Sequence, residues 1–160
     1  MTLAVLDRVR KDLRLQVGET CGETALRHAL LVYGKRVSVK RLALARRDKD
    51  AGADEHDLER AAKSVGFHLQ HIKVSTGPLA KSALRYELGK GVPVLLCTEA
   101  WTHWVVAFHA DRRAVWYADS EWTSDKALRR NTWPWVIERM NRYHHGQNRW
   151  DMYAVVPVAQ

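Results

Sequence analysis

Nowhere does the chain carry the run of about 18 apolar residues that a membrane-spanning helix needs, and its opening, Met1 to Asp12, is broken by charge before a signal-peptide core can form. A cytoplasmic location is the expectation. Cysteine is almost missing: Cys21 and Cys97 are too few for a disulfide framework, and in a reducing compartment each stays a thiol. Proline and glycine are scattered, not gathered into linkers, and no repeat or low-complexity tract interrupts the chain. These absences exclude a membrane protein, a disulfide-stapled secreted domain and a multi-domain string. One domain spanning residues 1–160 is expected.

What is present suits a soluble globular protein. Hydrophobic residues make up 46% and charged residues 28% of 160 positions, enough for a core that buries about 68 to 70% of the unfolded surface. The net charge of +8 makes this a basic protein, but Lys and Arg are interleaved with Asp and Glu. Lys126, Arg129 and Arg130 form the one notable cluster, and it is short. A nucleic-acid partner, whose affinity would fall steeply with salt, is therefore disfavoured against a peptide or protein substrate.

The periodicities predict helices first and strands later. Ala25, Leu26, Ala29, Leu30 and Tyr33 recur at helical spacing, with Gly34 as a stop and Thr20 and Glu23 placed as a capping box. A weak helical pattern over 37–47 precedes a loop. Asp54 or Asp57 then caps a helix through Leu58, Ala61, Ala62 and Val65 that stops at Gly66. Residues 67–75 alternate as a strand, Pro78 opens a helix ending near Gly89 or Gly91, and residues 92–99 read as a central strand. Two strands flank the turn Asp111 to Arg113 as an antiparallel hairpin; a helix near 133–143 and a last strand from Arg149 close the chain. The class is α+β.

Cys21 falls in the first turn of the first clear helix, where unpaired backbone N–H groups and the positive end of the helix dipole favour thiolate over thiol. Cys97 lies inside an apolar strand and reads as an inert small hydrophobe. A thiolate nucleophile needs a histidine to hold its proton, and that histidine needs an acceptor to fix its tautomer. His103 begins one hairpin strand and Asp119 ends the other, and a turn centred on Asp111 sets the two side by side. His28 lies two turns along the helix from Cys21, too far to activate it. His109 competes with His103 on the hairpin, but spacing to Asp119 favours His103. His56, His68 and His71 have no partner pattern. His144 and His145 have no further ligand at metal spacing and read as a solvated helix end, so no metal site is expected.

These features together resemble the papain-like cysteine peptidases, in particular the bacteriocin-processing group that cleaves double-glycine leader peptides. Gln16 ahead of Cys21-Gly22, the helix through Ala25 and Leu26, the Gly52 loop, Leu58 to Gly66-Phe67, Gly91-Val92-Pro93-Val94, His103-Trp104-Val105-Val106 and Asp119 carry the resemblance over most of the chain. It implies a papain-like fold, with a helical half carrying Cys21 packed on an antiparallel sheet carrying His103 and Asp119. Cys21 would be the nucleophile, His103 the general base and acid, Asp119 its orienter, and Gln16 with the Cys21 N–H the oxyanion hole. Gln16 stands five residues ahead of Cys21 where the family usually has six, and Ser120 follows Asp119 where the family often has proline. All seven tryptophans lie in the C-terminal half, chiefly as core. Trp101 and Trp104 flank His103 and, with Gly22, are the candidates for the substrate cleft. The implied activity is a cofactor-free thiol hydrolase acting on a peptide or amide bond. Acyl transfer and non-catalytic peptide binding on the same fold are the alternatives.

Overall fold

The computed structural model describes residues 3–99, 102–121, 128–144 and 147–159. Helices α1 (Leu3–Lys11), α2 (Cys21–Val32), α3 (Val39–Ala43) and α4 (Glu55–Lys63) come first. Strand β1 (Phe67–Val74), helix α5 (Gly77–Gly89), and strands β2 (Val94–Thr98), β3 (His103–Ala110), β4 (Ala114–Ala118) and β5 (Arg129–Thr132) follow. Helix α6 (Trp133–Met140) and strands β6 (Arg142–His144) and β7 (Gln147–Pro157) close the chain. Every pairing is antiparallel, in the order β1-β7-β2-β3-β4-β5, with β6 pairing β7.

The period of two along the strands divides the apolar side chains between two cores. Leu95 and Cys97 of β2 and Trp104, Val106 and Phe108 of β3 face α1, α2 and α4 through Leu6, Leu26, Leu30 and Leu58. Val94, Leu96, Val105 and Ala107 point the other way, against Ala80, Leu84 and Leu88 of α5 and Val136 and Met140 of α6. β2 is buried at all five positions because β7 and β3 cover its edges and helices cover both its faces. Ten of the twelve residues of α2 are buried, so this helix is enclosed and not laid on a surface.

Local chemistry sets the element ends. Asp54 Oδ1 accepts the Asp57 N–H at 2.7 Å while Asp57 Oδ2 accepts the Asp54 N–H at 3.4 Å, so both expected caps act, as a reciprocal pair. Gly66, with φ +86°, turns the chain from α4 into β1, a conformation that a side chain disfavours. The expected capping box at α2 is not formed: Thr20 makes no side-chain cap bond, its Oγ1 donating instead to the Val17 carbonyl at 2.9 Å. Glu23 is drawn away into an ion pair with Arg46. α1, β5 and β6 were not expected from the sequence. His144 lies in β6 and not at a helix end, because α6 stops at Met140. Trp101, Trp122, Lys126 and His145 lie outside the described residues.

Candidate active site

Cys21 is the first residue of α2, a free thiol 7% exposed. Its neighbour Gly22 lets the first turn of α2 press onto the sheet: a Cβ there would stand 3.1 Å from Leu58 Cδ2, 3.2 Å from Ala53 Cβ and 3.3 Å from Trp104 Cδ1. Trp104 is held in turn by its Nε1–H, which donates to the Ala53 carbonyl at 3.0 Å. The helix start is thereby set beside the first residues of β3, and His103 opens that strand.

His103 is buried, with 2% of its surface exposed. Its Nε2 lies 2.8 Å from Asp119 Oδ1, and the Cys21 side chain is among the groups that raise its pKa. Its Nδ1 lies 3.2 Å from Glu121 Oε1, an ion-pair approach without hydrogen-bond alignment. Burial works to lower the His103 pKa, but the hydrogen bond the ring gives Asp119, the Cys21 side chain, and the charges of Asp119 and Glu121 outweigh it and push the value up to about 10. For Asp119, burial works upward and is overcome by the hydrogen bonds from His103 and the Glu121 N–H, leaving its carboxyl below the usual range. The imidazolium form is therefore favoured near neutral pH. This arrangement can hold a proton close to a thiol and return it to a departing amine.

The hairpin reaches this geometry by a register that the sequence did not disclose. Val106 pairs with Ala118 and Ala107 with Tyr117, two residues away from the register expected for a turn centred on Asp111, and the register shifts again before His109. Asp119 is thus not the cross-strand partner of His103. It reaches the ring from just beyond the end of β4, where its Oδ1 also accepts the Glu121 N–H at 3.1 Å. Glu121, unmarked by the sequence reading, falls on the other ring nitrogen. The observed register, with Val106 opposite Ala118, extrapolates to Glu121 across from His103, but nothing in the sequence marks that register.

Gln16 is tied to the same loop. Its N–H donates to the Ser120 carbonyl at 3.0 Å, Ser120 Oγ donates to Gln16 Oε1 at 2.7 Å, and Gln16 Nε2 donates to the Gly18 carbonyl at 3.3 Å. A cavity of about 320 Å³ opens beside Cys21, bordered by Glu19, Gly52, Asp54, Cys97, Thr102 and Trp104. Trp104 thus borders the cavity while Gly22 packs beneath it; Trp101 lies outside the described residues. Cys97, read as inert, is 1% exposed and borders this cavity from the sheet. Arg46, also missed, pins the cavity wall: it pairs with buried Glu23 and donates to the carbonyls of Glu19 and Ala51.

The other histidines are placed elsewhere. His109 packs on Trp116 at 5.1 Å, and His71 pairs with Asp151 at 2.7 Å. His28 Nε2 accepts the Arg14 N–H at 2.9 Å, steadying the segment that leads to Gln16. Burial, followed by the charges of Arg27 and Arg14, drives the His28 pKa down to about 3, so the ring is neutral in the fold. An unfolded histidine binds its proton near 6.5, so the stability owed to neutral His28 is complete above that pH and is lost as pH falls toward 3. Urea unfolding measured between pH 7 and 4 should show stability falling by up to about 1.4 kcal/mol per pH unit from this group. The contribution should vanish in His28→Gln, and an unchanged slope in that variant would refute it.

Among the described residues, His103, Asp119 and Glu121 offer ligand atoms within 4.8 Å of one another. Both ring nitrogens face these carboxylates, at 2.8 and 3.2 Å, which favour a proton on the ring, and a metal ion bound to the ring would have to displace that proton.

No family model and no curated protein sequence matches the chain. Solved structures do. The chain is similar to a double-glycine-motif protease from an AMS/PCAT transporter, solved in complex with the leader peptide, at 16% identity and a TM-score of 0.65 over 91% of this chain and 89% of that one. It is also similar to the peptidase domain of Streptococcus ComA, a bi-functional ABC transporter involved in quorum sensing, at 17% identity and a TM-score of 0.65, covering 91% and 97%. The N-terminal peptidase-like domain of a toxin secretion ATP-binding protein from Vibrio parahaemolyticus matches at 14% identity and a TM-score of 0.62, covering 89% and 99%. The chain has the papain-like fold of these domains, as the resemblance implied. Among the described residues no helix is long and apolar enough to cross a membrane.

Proposed function

We propose that the chain is a cysteine peptidase that cleaves a peptide or amide bond through Cys21, His103 and Asp119, with leader peptides of the double-glycine type as its substrate class. The observation that carries this reading is a buried imidazole with a carboxylate 2.8 Å from its Nε2, whose pKa is raised by that carboxylate and by the Cys21 side chain at the start of α2. The two apolar cores share one sheet, which supports reading residues 1–160 as a single domain. The leader peptide bound to one structural neighbour supports the substrate class.

In the proposed reaction the Cys21 thiol proton passes to His103, and the sulfur attacks the scissile carbonyl carbon, forming a C–S bond and moving an electron pair onto the carbonyl oxygen. The Gln16 amide and the Cys21 N–H stabilise that oxyanion. On collapse the C–N bond breaks and the leaving amine takes the proton from His103. Neutral His103 then removes a proton from water, which hydrolyses the thioester and restores the thiol. Asp119 orients the ring throughout. Side chains and water supply every proton and electron pair in this scheme.

The test pairs limiting iodoacetamide and peptide mapping with a synthetic peptide that carries a Gly-Gly leader junction. Cys21 should label much faster than Cys97, and the peptide should be cut at one position, an activity lost in Cys21→Ala. Preferential labelling with an intact peptide would overturn the substrate class. Equal labelling with an intact peptide would overturn catalysis and favour a peptide-binding role.

A further inference from the structure

Residues 119–121 lie immediately after β4, and each reaches a different part of the site. Asp119 and Glu121 flank the two nitrogens of His103, and Ser120 faces Gln16. The first two act on the general base. Ser120 has no part in that pair, yet it is only 3% exposed and its hydroxyl is committed to a single short hydrogen bond with a residue 104 positions away in the chain.

We infer that Ser120 is a positioning residue for catalysis: its hydroxyl, donating to Gln16 Oε1, anchors the Gln16 amide in the one orientation the Gly18 carbonyl allows, with an N–H left for the reacting carbonyl. The inference rests on the reading of the chain as a cysteine peptidase. A glutamine side chain can be placed with its oxygen and nitrogen exchanged, and only its hydrogen-bond partners decide between the two. Here the partners leave one solution. The Gly18 carbonyl has no hydrogen to give, so the group 3.3 Å from it must be the Gln16 NH₂. Gln16 Oε1 is therefore the atom 2.7 Å from Ser120, and the hydroxyl must donate to it. One N–H of the amide is spent on Gly18, and one remains free for an oxyanion. In the exchanged orientation two carbonyl oxygens would face each other at Gly18, so Gly18 selects the orientation and the Ser120 hydroxyl, which can donate or accept, holds the selected one in place.

The backbone reinforces the arrangement. Gln16 N–H donates to the Ser120 carbonyl at 3.0 Å, so main chain and side chain of Gln16 are both referred to one residue. That residue adjoins Asp119, so the oxyanion donor and the His103 orienter move together as one short loop. Gln16 is half-buried on a segment without regular structure, and the amide's rotation is otherwise limited only by the 3.3 Å contact to Gly18.

The experiment uses the full chain, a fluorogenic peptide ending in Gly-Gly-aminomethylcoumarin, and NMR of the glutamine side-chain amides. Removing an oxyanion donor outright costs about 10² to 10³ in kcat, so Gln16→Ala sets that limit and Ser120→Ala should lose about tenfold or more of it with KM little changed. Ser120→Thr keeps the hydroxyl and should recover most of the loss. Because Ser120 acts through Gln16, adding Ser120→Ala to Gln16→Ala should cost nothing further. The rate of Cys21 alkylation, which forms no oxyanion, should be the same in all these proteins. Independently of turnover, the Gln16 NH₂ pair should be slowly exchanging in the wild type and lose that protection in Ser120→Ala.

Wild-type kcat in Ser120→Ala, additive losses in the double variant, or an unchanged Gln16 amide spectrum would each overturn the inference. If the wild type alkylates at Cys21 but never turns over the peptide, the peptidase reading fails instead, and the amide spectrum still decides whether Ser120 orients Gln16.

Discussion

His103→Ala is expected to slow peptide cleavage by about 10² to 10⁴, the usual worth of a positioned general acid and base. The loss follows from the proton's path, since His28, on α2 itself, is held on the Arg14 amide and His109 packs on Trp116. The same ring makes a pH prediction. Its folded pKa of about 10 lies above the ordinary 6.5, so NMR of the imidazole should show an inflection near 10. Cleavage should fall as pH rises through that value, because the imidazolium is the form that protonates the leaving amine. Asp119→Asn and Glu121→Gln should each move the inflection down, Asp119→Asn further because it replaces the carboxylate that makes the 2.8 Å hydrogen bond. The stability owed to the charged ring is complete below pH 6.5 and is lost as pH rises through about 10. A ring that titrates near 6.5 and ignores both substitutions would dismantle this account.

The largest effect on folding is expected from Glu23→Leu. Glu23 and Arg46 expose only 1% and 6% of their side chains, so each is the other's compensation for leaving water. Removing the carboxylate leaves the guanidinium with carbonyl acceptors but no counter-charge and should cost about 3 to 5 kcal/mol in urea unfolding, as Arg46→Met should by stranding the carboxylate. The double variant should lose much less than the sum of the two, because no unpaired charge remains. It should still lose activity. Arg46 also holds the Glu19 and Ala51 carbonyls, which bring the segment before Cys21 and the loop before Ala53 together at the cavity. Single variants that unfold at wild-type urea concentrations would show that water reaches the pair.

The legible parts of this protein were those governed by neighbours in the chain. Leu58, Ala61 and Ala62 at helical spacing behind Asp54 mark α4, since a cap and an apolar stripe act over a few residues. The unbroken apolar run before Thr98 marks β2 as central because only a strand covered on both faces carries no polar side. Cys21 as the first residue of α2 was legible from the same kind of signal. α1 was not, although Leu6 and Val9 are buried; its charges mask an apolar stripe that matters only once α2 covers it. β5 and β6 are short and polar, and they exist because β4 and β7 offer open edges.

The residue types of the site, a thiol at a helix start with a histidine and a carboxylate around a hairpin, follow from composition and local periodicity, as does the α+β class. Which carboxylate meets which ring nitrogen does not. A register is set by the packing of side chains on both faces of the sheet and by the irregularity before His109, so no count from the turn could place Asp119 on Nε2 and Glu121 beside Nδ1. The same holds for Arg46 on Glu23 and Ser120 on Gln16. Partners separated by 23 and 104 residues leave no periodic trace, and only the closed fold brings them within hydrogen-bonding distance.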